Sequence, residues 1–249
     1  MSVAVPTIGS VSRVTIVKRG ALRLIVVLAA LAAGSALNAA DQVEVAPGVQ
    51  VTRTTYDAPA DEQPFFGFTE KTEAQRAADD ELVKELVDAA GSREQAFDAM
   101  MIRGWKAITT SKTATAAKRF NQAYLLMPER SGVYHGFAMV AVNRFNDLAF
   151  ADELFRIALK QPSPQKMLNT DYGRMLLMAK RYREAQPVLE QAVIDMPDFG
   201  DAFGYLAFAR LQTGDRAGAC AASATAFEKQ PSQSVLRDMV RLRKEAQCQ

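Results

Sequence analysis

The chain has 249 residues, 49% of them apolar and 23% charged, and a formal net charge of +2. That composition suits a packed core and excludes both wholesale disorder and a multi-span membrane protein. Its charge is uneven, with 13 acids against 5 bases over residues 41–95 and 15 against 21 over 96–249. So near a balance there is no electrostatic footprint for nucleic acid, but an acidic segment can lie against a basic remainder.

In chain order, Arg13, Lys18, Arg19 and Arg23 precede the apolar run "LIVVLAALAA" (24–33), and the small-residue stretch "GSALNAA" follows. That order is the order of a secretory signal over residues 1–40, cut after Ala36, Ala39 or Ala40, and no cysteine follows the run to carry a lipid anchor. The expected location is outside the cytoplasm, in the bacterial periplasm. If uncut, the 17 residues from Leu24 to Ala40 stand at the short edge of a membrane span and are the only expected membrane contact.

Residues 41–70 carry Pro47, Pro59 and Pro64 and little periodicity, and read as an extended acidic arm. Phe65, Phe66 and Phe68 form an aromatic knot within it. Three rings left in water invite aggregation, so the knot reads as a plug on the first helices, with a groove-filling segment displaced by a partner as the second reading. Residues 71–96 form a leading helix, with Leu82, Val83, Leu86 and Val87 on one side, Asp79, Asp80 and Glu81 solvated, and Gly91 as its stop.

From residue 97 a repeat appears. The segments 165–198 and 199–232 align without a gap, and 34 residues separate Gly173 from Ala207, Ala185 from Ala219, Ala192 from Ala226 and Pro197 from Pro231. A step back reaches Ala151, Phe155 and Ala158, with Pro162 and Pro164 flanking the expected proline; a further step of 35 reaches Ala116, Phe120, Ala123 and Pro128. Small residues at fixed places let two antiparallel helices approach, a large one fills the space between units, and proline ends the second helix. Met139, where a small residue belongs, and Ser223, where a large one belongs, are the departures.

This pattern over 97–233 resembles the tetratricopeptide repeat family. The resemblance implies an all-α, right-handed superhelical solenoid of about four repeats, closed by a capping helix over 234–249. In that helix Val235, Leu236, Met239, Val240 and Leu242 face inward, and Ser232 or Ser234 caps its start. It also implies a concave groove lined by Met101, Trp105, Asn143, Arg144, Arg174, Met178 and Phe208, a set that suits an extended peptide: Asn for backbone, Arg for carboxylates, Trp for an apolar side chain. Met101 and Trp105 stand where chaperone-binding members place the basic groups that clamp a peptide's terminal carboxylate, so that mode is not expected.

No catalytic constellation is legible. His135 is the only histidine, which rules out Ser/His/Asp, Cys/His and His-rich metal sites, and its place in the second repeat reads as packed. Neither a phosphate loop nor a dinucleotide fingerprint is present. The methionines read as gap fillers rather than Cu(I) ligands. The sequence therefore reads as a non-enzymatic, cofactor-free scaffold for another protein or peptide, with a second reading as a structural subunit of an envelope assembly that uses the N-terminal arm. The two cysteines fit secretion. Cys220 follows the packing Ala219, and a capping helix folding back from Pro231 brings Cys248 beside it, so a Cys220–Cys248 disulfide is expected, worth roughly 3 kcal/mol.

Overall fold

The computed structural model describes residues 41–249, so the signal segment and its membrane reading lie outside the described residues. No helix among the described residues is long and apolar enough to cross a membrane. The array is built from α2 (Arg93–Thr109) with α3 (Thr113–Leu126), α4 (Ser131–Val140) with α5 (Leu148–Ala158), α6 (Leu168–Met178) with α7 (Tyr182–Asp195), and α8 (Gly200–Gln212) with α9 (Arg216–Glu228). The leading helix α1 (Glu73–Ala90) and the capping helix α10 (Gln233–Ala246) close its two ends.

Local chemistry starts and stops these helices. Thr72 and Gln75 form a reciprocal capping box on α1, and Gly91 ends it in a left-handed conformation at φ 91°. Ser92, Asp147 and Asp215 accept backbone N–H groups at the starts of α2, α5 and α9. Ser232 holds the N-cap position of α10 without a side-chain cap; its own N–H instead donates to Asp201 at 2.6 Å.

The repeat positions pack as their spacing requires. Ala116, Ala151, Ala185 and Ala219, with Ala123, Ala158, Ala192 and Ala226, are all 0% exposed, as are Phe120, Phe155, Leu189 and Ser223. Both departures are compensated. Ser223 accepts Arg243 Nη1 of α10 at 3.2 Å, so the capping helix brings the bulk that its own position lacks. Met139 sits one turn past Gly136, and it is Gly136 that lets α4 close on Phe120.

The N-terminal segment differs from an extended arm. Gln42–Ala46 (β1) and Val49–Thr52 (β2) pair as an antiparallel hairpin, and Ala60–Glu62 and Pro64–Phe68 make two short turns. It lies on the second helices of the first two repeats: Tyr124 Oη donates to the Val45 carbonyl at 2.5 Å, and Thr52 N donates to Glu153 at 2.7 Å. The expected charge pairing is real, with Lys118 2.9 Å from Asp61 and Arg144 bound to Glu62. The Tyr56 ring stacks on Phe145 at 3.7 Å and its hydroxyl donates to Asp147, so burial first and that carboxylate second push the phenol's pKa up. Asp79 is not merely solvated, since it pairs with Lys71.

Phe65 is the plug, 5% exposed among Tyr124, Tyr134 and Phe137. Placing it costs backbone strain, because Phe65, Phe66, Gly67 and Phe68 all hold positive φ of 53–62°, and each non-glycine there gives up about 1–2 kcal/mol. Asn121, 0% exposed, offsets this. Its Nδ2 donates to the carbonyls of Asp61 at 3.1 Å and Gln63 at 2.7 Å, and its Oδ1 accepts from Phe66 N at 3.1 Å. Replacing Asn121 by Ala strands three backbone groups, and we expect about 2 kcal/mol of destabilisation, with faster exchange of the 60–68 amides; unchanged exchange there refutes this role.

Candidate functional site

The first helices of the repeats, α2, α4, α6 and α8, face inward. The connection from Leu159 to Met167 is the longest in the array, and it holds α4 and α6 apart. Ser131 anchors it on the α4 side, with its N–H donating to Pro162 O at 3.2 Å and its hydroxyl to Ala158 O at 2.7 Å. Gln165 anchors the other end, accepting Leu168 N of α6 at 2.9 Å. The separation opens a cleft of about 910 Å³, lined by Trp105, Ile108 and Thr109 of α2, Met139 and Asn143 of the α4 segment, residues 163–167, and Asp171 and Arg174 of α6.

A second cleft of about 440 Å³ lies farther along. Leu177 and Met178 of α6, Tyr205, Phe208 and Leu211 of α8, and Val235, Met239 and Leu242 of α10 line it. Arg174 borders both, so the two clefts share one cation. Both volumes fall within the ordinary range of ligand sites, about 300–1,000 Å³.

His135 belongs to the floor and not to the opening. It is 0% exposed, with Nε2 2.9 Å from Asp171 Oδ2, Nδ1 3.1 Å from Gln165 Oε1, and its ring edge-on to Trp105 at 4.6 Å. The packed reading of this histidine holds, and the packing has a use: it ties α4 to α6 across the cleft that the long connection opens. Trp105 Nε1 is buried there with no hydrogen-bond partner among the described residues.

Of the seven residues expected in the groove, five line it: Trp105, Asn143 and Arg174 in the larger cleft, and Arg174, Met178 and Phe208 in the smaller. Met101 does not, being 4% exposed and packed beneath Gly132. Arg144 does not either. The last turn of the α4 segment, Ala141–Phe145, is a π-helix, and this wider turn, with Glu62 waiting on the other side, commits the guanidinium to the N-terminal segment. The groove-filling reading of the aromatic knot also fails, since Phe65 packs on Tyr124 of α3 and on Tyr134 and Phe137 of α4 rather than in either cleft.

Sequence reasoning missed Lys166, Asp171, Tyr205 and the wall that α10 contributes. The paired prolines 162 and 164 were the available signal for the long connection. The apolar face of α10 was legible, and the structure buries Val235, Met239 and Leu242 while leaving Val240 59% exposed.

Electrostatically the larger cleft is positive. Lys166 and Arg174 make no ion pair among the described residues, whereas Asp171 is taken by His135. In the smaller cleft burial pushes the Tyr205 phenol's pKa up, only partly countered by Arg174, so it remains a neutral hydrogen-bond donor at neutral pH. Among the described residues no three His, Cys, Asp or Glu side chains gather as a metal would need. The arrangement can hold hydrogen-bonding, anionic and apolar groups side by side.

No family profile and no curated protein matches the chain. Solved structures do. PilF of Pseudomonas aeruginosa is 25% identical over 62% of this chain and 71% of its own, with a TM-score of 0.55. PilW, described as a widely conserved type IV pilus biogenesis factor, is 17% identical over 71% of this chain and 86% of its own, at 0.48. YrrB, described as a TPR protein with an unusual peptide-binding site, is 18% identical over 61% and 75%, at 0.46.

Proposed function

We propose that the chain, which folds as a tetratricopeptide-repeat solenoid, is a non-enzymatic scaffold that binds an extended peptide segment of another protein along its concave face, in the bacterial periplasm. The observation that carries this reading is the shared wall of the two clefts at Arg174. A continuous inner surface offers an aromatic ring at Trp105, an amide at Asn143, a cation at Arg174 with no ion-pair partner among the described residues, and an apolar recess at Phe208. Such a mixture suits a chain whose side chains alternate. The signal-like residues 1–40 and the Cys220–Cys248 disulfide support a compartment where disulfides persist.

The second reading is an envelope subunit whose acidic N-terminal arm makes the contact, and it has less of that arm to offer. Two of its acids, Asp61 and Glu62, are engaged by Lys118 and Arg144 of the array, and Phe65 is 5% exposed, whereas Phe66 stays at the surface.

Selection of a random peptide phage library on residues 41–249 tests the proposal. We expect enrichment of a common sequence on the parent protein and its loss on an Asn143→Ala, Arg174→Ala variant, whose substitutions lie at the cleft rims and outside the repeat core. The same peptides enriched equally on both proteins would sink the groove assignment.

A further inference from the structure

Resting on the groove reading above, we propose that the inner surface recognises a two-part peptide: an Asp or Glu side chain in the larger cleft, at Lys166 and Arg174, and a neighbouring large apolar side chain in the cleft walled by the capping helix. Charge complementarity places the acid. Lys166 and Arg174 line the larger cleft, and neither has an ion-pair partner among the described residues. The acid beside them, Asp171, already holds His135 at 2.9 Å. A carboxylate entering there meets two uncommitted cations, and a guanidinium can grip it with two parallel hydrogen bonds.

The smaller cleft has the opposite character. Its charges balance, Arg174 and Arg241 against Asp238 and Glu245, and the rest of its lining is largely apolar. Met178 stands at its mouth, 46% exposed, while Val235 and Met239 behind it are 4% and 2% exposed. An unbranched thioether at an open mouth adapts to the shape of an entering ring or aliphatic chain. Gly204 completes the recess, because a Cβ there would strike Val235 and push α10 off α8. The capping helix thus does more than close the array, since it supplies one wall of a specificity pocket. Arg174 stands on the boundary, so the acid and the apolar group must be close in the peptide.

Methionine-methyl NMR on the full 41–249 chain tests this with three blocked dipeptides, Ac-Glu-Phe-NH2, Ac-Gln-Phe-NH2 and Ac-Glu-Ala-NH2. With Ac-Glu-Phe-NH2 we expect saturable shifts of the Met178 and Met239 methyls and no shift of buried Met100. Removing the charge should weaken binding about fivefold, removing the ring should abolish the Met239 shift, and Arg174→Gln should erase the Glu-over-Gln preference while the Met239 shift persists. Equal affinity for the Glu and Gln peptides, an undiminished preference in Arg174→Gln, or no Met178 and Met239 shifts overturns the proposal. Phage peptides enriched on the parent protein that lack an acid would overturn it while leaving the groove reading intact.

Discussion

Phe120→Ala should remove about 3–5 kcal/mol of stability, the ordinary cost of emptying a large aromatic site in a close-packed core. The ring is 0% exposed and edge-on to Trp105 at 5.5 Å, and it is clasped between α2 and α4 at two glycines, Gly104 and Gly136. Those contacts give a sharper companion test. In an ordinary helix interior Gly→Ala gains about 1 kcal/mol from propensity. At Gly136 an added Cβ would stand 2.6 Å from Phe120 Cδ1. Overpacking of that kind costs about 1–3 kcal/mol, and the ring has no free side to turn to, so the sign reverses and Gly136→Ala destabilises. Phe120→Leu should recover part of the loss in the double variant. Denaturant titrations of the single and double variants decide it: a stabilised Gly136→Ala, or strictly additive effects, would show that the ring does not set the spacing of the first two repeats.

The second large effect is expected at the other end. Cys220 and Cys248 are joined in the structure, with Cα atoms 5.4 Å apart and a sequence separation of 28. Closing a loop of that length is worth roughly 3 kcal/mol in the loop-entropy account. The loss on replacing both cysteines by Ser should be local, because a solenoid unit touches mainly its neighbours. Hydrogen exchange should therefore quicken across Gln233–Ala246 and stay unchanged in α2 to α5. Val235, Met239 and Leu242 still bury the helix, so we expect it to fray from Cys248 rather than detach. The smaller cleft loses definition at the same time, as six of its lining residues sit on that helix. Unchanged exchange in α10 would mean that apolar packing alone holds the cap.

Legibility from the sequence followed the type of contact. The small residues Ala116, Ala151, Ala185 and Ala219 could be placed because each packs against its own helix partner, a few turns away along the chain. The cysteine pair was legible for the same reason, since Cys220 and Cys248 flank a single hairpin of helices. Arg144 was misplaced because a periodic register presumes an unbroken α-helix. A π turn shifts every later side chain, and nothing in "AVNRF" announces one.

The sequence by itself determined the four helix pairs, their packing residues, the cap and its staple, because a 34-residue period repeats one short-range solution. Only the tertiary structure decided where the non-repeating parts lie. Asn121 reaches back 55 residues to Phe66, and Glu153 reaches 101 residues to Thr52. No period encodes pairings at such separations, and their geometry exists only once the repeats have stacked. The same holds for the groove, whose two clefts arise where one connection runs long and where the last helix folds in against α8.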